Sequence, residues 1–107
     1  MKHITPAELA AWLADAQRAQ PQLLDVREPW EFETCSIAGS RHIPMGEIPG
    51  RYGEVDAQTD LVVICHHGGR SLQVAAFLEK NGYARVHNLS GGVHAWAQSV
   101  DPAMPVY

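Results

Sequence analysis

One run constrains this chain more than any other. Four consecutive apolar residues, Leu61-Val62-Val63-Ile64, lead directly into Cys65-His66-His67-Gly68-Gly69-Arg70 and then into a helical pattern. A short strand with no polar alternation is buried on both faces, which favours a parallel sheet covered on both sides. The pattern from about Ser71 to Asn81 predicts a helix stopped by Gly82. The unit is strand, turn and helix, with a cysteine at the hinge. In an open α/β sheet, ligands gather beyond the carboxyl ends of the strands, so Cys65 stands where chemistry is sited.

The remaining segments fit the same plan. Thr5-Pro6-Ala7-Glu8 has the form of a capping box with proline at the first helical position, and Leu9, Trp12, Leu13 and Ala16 follow at helical spacing. Leu23 to Val26 predicts a buried strand, Pro29 to Glu33 a brief helix, and Arg41-His42-Ile43 a short strand before Pro44. Met45 to Thr59, broken by Gly46, Pro49, Gly50 and Gly53, predicts irregular helical turns. Ala84 to Leu89 predicts a strand, and Gly91-Gly92 opens a last helix carrying Val93 and Trp96. Strands alternating with helices indicate a mainly parallel sheet with helices on both faces.

Length and charge bound the function. A chain of 107 residues has room for one domain, expected over residues 1–107 without an internal boundary. The net charge of −4 and the lack of a basic run argue against nucleic acid as a partner. The Leu61 to Cys65 stretch is far short of the roughly 20 apolar residues a membrane span needs, and no apolar signal core follows Met1. A soluble, cytoplasmic protein is expected, and its two cysteines, Cys35 and Cys65, argue for a free thiol rather than a disulfide scaffold.

The turn has the makings of an anion cradle. Gly68 and Gly69 permit backbone angles that aim successive amide N–H groups at one anionic atom, here the sulfur of Cys65. The positive end of the following helix and the charge of Arg70 both favour thiolate over thiol. Ser71 is placed as the N-cap of that helix.

Cys65-His66-His67-Gly68-Gly69-Arg70-Ser71 resembles the C-x-x-G-x-R-S active-site loop of rhodanese domains. Leu23-Leu24-Asp25-Val26-Arg27-Glu28, Gly39 to Pro44, and Asn88-Leu89-Ser90-Gly91-Gly92 through Trp96 are similar to three further motifs of that family, in the same order. The resemblance implies a single rhodanese-like α/β domain with a mainly parallel five-stranded sheet. It implies sulfurtransferase activity in which Cys65 takes sulfane sulfur from thiosulfate or another persulfide donor and passes it to cyanide or a thiol. It implies no metal or organic cofactor. The loop amides would stabilise the charge on the outer sulfur as an oxyanion hole does for oxygen. The ending through Pro105-Val106-Tyr107 is similar to rhodanese domains fused to sulfur-carrier-activating enzymes, which implies a thiol or a sulfur-carrier protein as acceptor.

Individual residues carry competing readings. Cys35 stands where the family commonly has glycine, and is more readily a small apolar filler than a resolving thiol. His66 and His67 are expected to contact substrate or fill the loop, because adjacent positions in a tight turn rarely face one metal ion. The other histidines, His94 among them, are assigned packing or surface roles. Arg70 either contacts the donor's anionic group or ties the loop to a buried acid such as Asp25. Arg27 either lines the same mouth or forms a surface pair with Glu28 or Glu31. Trp12, Trp30 and Trp96 are expected to anchor the core.

Two rival functions share this fold. Cysteine-based phosphatases and arsenate reductases carry a loop one residue longer between cysteine and arginine, long enough to wrap a tetrahedral anion. The shorter loop from Cys65 to Arg70 suits a single extra sulfur. A non-catalytic rhodanese-like binding module is the other class, and retention of Cys65 with both loop glycines argues against it.

Overall fold

The computed structural model describes residues 1–107. In chain order its elements are β1 (Lys2–Ile4), α1 (Pro6–Ala14), β2 (Gln22–Asp25), α2 (Pro29–Thr34), β3 (Arg41–His42), α3 (Ile48–Arg51), β4 (Leu61–Ile64), α4 (Gly69–Lys80), β5 (Val86–Leu89) and α5 (Gly92–Ser99). The five strands form one sheet in the order β1-β5-β4-β2-β3, and every pairing is parallel. The apolar run of β4 is explained by this placement at the centre, where all four of its residues are buried.

Strand periodicity divides the core in two. Leu23, Val62, Ile64 and Leu89 pack with Leu9 and Trp12 of α1 and with Val93 and Trp96 of α5. Leu24, Leu61, Val63 and Val86 face the other way and pack with Val74, Ala75 and Leu78 of α4 and Ile48 of α3. Each such fully buried aliphatic side chain contributes about 1.5–3 kcal/mol relative to exposure. The register Leu23↔Val62 and Leu24↔Val63 is therefore strongly fixed, since a slip of one residue would exchange the two faces.

The connections place the site. From β2 the chain moves outward to β3, and from β4 it moves the other way to β5. The carboxyl ends of β2 and β4 thus flank a crevice, closed at its base by Val26 N–H donating to the Ile64 carbonyl at 3.0 Å. Cys65 and Arg27 emerge side by side from this switch point.

Several expectations need correction. β1 is absent from the sequence reading, because three residues are too few to show periodicity; it is held by pairing Lys2, His3 and Ile4 with His87, Asn88 and Leu89. Helix α4 begins at Gly69 rather than Ser71, and its N-cap is Gly68 at φ 104°. Trp30 is 58% exposed and is no core anchor, whereas Trp12 and Trp96 are buried as expected. The short helix α2 offers Trp30 only an edge contact with Tyr107, at 5.3 Å between ring centroids. The capping box on α1 forms as predicted, with Thr5 Oγ1 accepting from Glu8 N–H at 3.1 Å and Glu8 Oε1 accepting from Thr5 N–H at 2.9 Å. No helix is long and apolar enough to cross a membrane.

Candidate active site

Cys65 is 1% exposed, and two groups address its sulfur. The Gly68 N–H donates to Sγ at 3.0 Å, and the Ser71 hydroxyl lies 3.2 Å away. The left-handed conformation of Gly68 turns that amide inward, and any Cβ there would meet the Gly91 nitrogen at 3.3 Å. Ser71 is the third residue of α4, not its cap, so its hydroxyl is directed at the site. With Cys65 as a thiol, the S–H donates to Ser71 Oγ and the Ser71 hydroxyl donates to Asn88 Oδ1. A hydroxyl carries one proton that rotates to suit its neighbours, so Ser71 can donate to the sulfur once that sulfur is anionic. Asn88 is fixed in turn by its side-chain N–H donating to the Gly68 carbonyl at 3.3 Å.

The loop rests on the start of α5. Val93 N–H donates to the Cys65 carbonyl at 2.9 Å, and His94 N–H donates to the His66 carbonyl at 3.1 Å. This contact demands glycine, because a Cβ on Gly92 would stand 2.3 Å from the Cys65 carbonyl oxygen and 2.4 Å from that of His66. The Gly91-Gly92 pair noted in the sequence is thus the close approach that holds the cysteine loop.

Ionic groups form a chain beneath and beside the mouth. Arg27 is fully buried and pairs with Asp25 at 2.7 Å, so Asp25 anchors Arg27 rather than Arg70. Both expected roles of Arg27, substrate contact and surface pair, are replaced by this buried one. Arg27 also donates to the Cys35 carbonyl at 2.6 Å and to the Tyr107 hydroxyl at 2.9 Å. Tyr107 donates to Glu31 Oε2 at 2.8 Å, and Glu31 receives both arms of Arg70 at 2.6 and 2.8 Å. Arg70 therefore does tie the loop to a buried acid, but that acid is Glu31. The Arg70 hydrogen bonds, opposed by burial, lower the Glu31 carboxyl to about 2. Burial raises the Tyr107 phenol to about 12.

Histidines rim the opening. The His66 ring stacks on Tyr107 with centroids 4.0 Å apart, and His67 lies exposed beside it. Burial, reinforced by the adjacent His67, holds the His66 imidazole below the usual histidine range. The structure adds a third ring that the sequence reading left as packing: His94, from the first turn of α5, sits 4.8 Å from His67. Cys35 is buried in the core cluster with Ile37, and Arg27 Nη1 is 3.8 Å from its sulfur. It shares a narrow crevice with His66, His94 and Tyr107.

Of the residues expected at the site, Cys65, Gly68, Ser71 and Arg70 converge with His66 and His67, while Asp25 and Arg27 support from below. Gly69 starts α4 with open space around it, so no close approach there requires glycine. Glu31, Asn88, His94 and Tyr107 are the additions. Asn88 lies inside a motif the sequence displays, whereas Glu31 reaches Arg70, and Tyr107 reaches Glu31 and Arg27, across separations that no local pattern encodes.

The chain as a whole resembles known proteins. Residues 5–99 match the family described as the rhodanese-like domain. A sulfurtransferase of Allochromatium vinosum is 38% identical over 98 residues, covering 92% of this chain and 90% of that protein. Thiosulfate sulfurtransferase GlpE of Pseudomonas aeruginosa is 38% identical over 82 residues, 77% of this chain and 74% of GlpE. This chain spans only 31% of the rhodanese-like/PpiC domain-containing protein 12 of Arabidopsis thaliana, at 38% identity over 92 residues. The crystal structure of a rhodanese-like domain protein from Staphylococcus aureus superposes with a TM-score of 0.85 at 32% identity, covering 100% of this chain and 99% of that one. With the matched residues spanning every element from α1 to α5, the chain belongs to the rhodanese-like domain family.

Proposed function

We propose that Cys65 carries sulfane sulfur as a persulfide. The Cys65 thiolate attacks the outer sulfur of thiosulfate or of a thiol persulfide, forming Cys65-S-S⁻ and releasing sulfite or a thiolate. An incoming cyanide or thiolate then attacks the outer sulfur, leaves as thiocyanate or a new persulfide, and returns Cys65 as thiolate. Charge on the sulfur is met by the Gly68 amide and the Ser71 hydroxyl, and no oxidant or reductant is consumed.

One observation carries this reading: the sulfur is held by a backbone amide while Arg70 is turned onto Glu31. A phosphatase would need that arginine free to fold over an oxyanion, and here both its arms are engaged. With its pKa held below the usual histidine range, the His66 ring adds little positive charge for a dianion at neutral pH. A thiol persulfide is therefore the better donor, and a small thiol or the thiol of a carrier protein the acceptor. The test is to supply cyanide as acceptor and to compare thiosulfate with a low-molecular-weight thiol persulfide as donor. Thiocyanate should form faster from the persulfide, net of the uncatalysed rate, and Cys65→Ser should form none. Equal turnover by Cys65→Ser would reject the reading.

A further inference from the structure

Three imidazoles meet at the mouth of the Cys65 loop, drawn from two elements. His66 and His67 lie on the loop, and His94 lies in the first turn of α5, where its N–H donates to the His66 carbonyl at 3.1 Å. One ring nitrogen from each of the three lies within 4.8 Å of the others. Ring centroids are separated by 3.9 Å for His66 and His67, 4.8 Å for His67 and His94, and 5.9 Å for His66 and His94.

Ring nitrogens elsewhere in the protein have partners. His42 pairs with the Arg27 carbonyl, His87 with Asp60, and His3 with Asn88. None of the three clustered rings makes a hydrogen bond or an ion pair to a protein side chain or carbonyl. Packing accounts for one of them, since His66 stacks on Tyr107. It does not account for His67, which is exposed, or for the convergence of all three. What remains is a set of three imidazole ligands with an open side.

We propose that His66, His67 and His94 form a three-imidazole site for a divalent transition-metal ion at the rim of the Cys65 loop. Imidazole ligands suit Zn²⁺, Ni²⁺ and Cu²⁺, and three of them leave a fourth position for water or an anion. Metal–nitrogen distances of about 2.0–2.1 Å place tetrahedral ligand atoms roughly 3.4 Å apart, so the widest pair must close by about 1.4 Å. Rotation of the rings about their side-chain torsions supplies that movement, His67 being exposed and His66 and His94 half-buried. The backbone bond between His94 and His66 fixes α5 against the loop. The ion would set a positive charge beside the opening through which a donor reaches Cys65. Its binding does not depend on sulfur transfer by that residue.

The experiment is titration of the full chain with Zn²⁺ against a chromophoric chelator, with Co²⁺ absorption as a second readout of coordination. Wild type and Cys65→Ser should each bind one ion, with a Co²⁺ spectrum of tetrahedral form. His67→Gln and His94→Gln should each weaken binding by more than the roughly 10–100-fold that loss of an outer partner costs. His67 is exposed, so His67→Gln is compatible with the native fold, and thermal melts check each variant. Absence of stoichiometric binding to wild type would overturn the proposal, as would binding that survives both histidine substitutions. Loss of binding in Cys65→Ser with retention in His94→Gln would assign the ion to the thiolate and overturn it equally. Cys65→Ser cannot carry sulfur, so its metal binding is judged apart from the sulfurtransferase reading.

Discussion

The two cysteines are both buried, Cys35 at 8% exposure and Cys65 at 1%, yet their surroundings are opposite in kind. Around Cys65 polar groups face the sulfur, on a loop braced by α5. The Gly68 amide donates to it at 3.0 Å, and the Ser71 hydroxyl at 3.2 Å accepts from the thiol and can donate once the sulfur is anionic. Around Cys35 the strong donor faces the backbone, with Arg27 at 2.6 Å from the carbonyl and only 3.8 Å from the sulfur. Burial by itself penalises a thiolate, and donors aimed at sulfur work the other way. The contrast shows that direction of the donors, rather than depth, separates a thiol built for chemistry from one built for packing.

The largest expected effect breaks the comparison at the sulfur itself. Cys65→Ser should lower thiocyanate formation by at least about 10³-fold, because no other group can hold the transferred sulfur. Cys35→Ser should stay within about twofold of wild type in the same assay, as expected for a group outside a reacting set. A large loss in Cys35→Ser would make it a relay thiol and erase the distinction.

The second effect breaks the region around Cys35. Arg27→Met leaves Asp25 charged, buried and unpaired, and should cost about 3–5 kcal/mol in urea unfolding. Arg70→Met removes a pair whose arginine is 36% exposed and leaves Glu31 its Tyr107 and backbone partners, so it should cost less, about 1–2 kcal/mol. Equal losses would show that the buried pair is not the support described.

The third breaks the brace under Cys65. Gly92→Ala forces a Cβ against two carbonyl oxygens in a backbone of φ +58°, and should cost about 1–3 kcal/mol while slowing sulfur loading. Gly69→Ala meets nothing within 4 Å and should be neutral or stabilising by about 0.4–1 kcal/mol, read by thermal unfolding.

How much of this was legible follows from the range of each interaction. The β4–Cys65–α4 unit and the opening of α5 at Gly91-Gly92 are written in contiguous residues, and the structure keeps both, whereas the contact of Gly92 with the Cys65 carbonyl is long-range and shows only in the fold. Ser71 was misplaced as a cap because serine is a favoured cap by local chemistry; Gly68 takes that position and frees the hydroxyl for Cys65 and Asn88. Arg27 shows as a charged residue after a strand, and only the fold reveals that Asp25, Cys35 and Tyr107 enclose it. His94 and Tyr107 reach the site by the return of α5 and the chain end, which no periodicity records.

A smaller effect links the two regions through Glu31. Its carboxyl lies at about 2 in the folded state against an ordinary 4.5, so the native state binds fewer protons than the unfolded chain between these values. The contribution is fully present above pH 4.5 and is lost as pH falls through about 2. With its partner Arg70 partly exposed, it should amount to roughly 1–2 kcal/mol. Acid unfolding of Glu31→Gln should lack this component, and an unchanged acid profile would show that the pair contributes nothing.

Intact mass of the wild-type chain, taken after a thiol persulfide and again after cyanide, tests the central claim most directly. The account predicts a gain of one sulfur atom, its loss to cyanide with one equivalent of thiocyanate, and no such gain in Cys65→Ser. A wild type that never gains the sulfur, or a Cys65→Ser chain that gains it equally, would contradict the account.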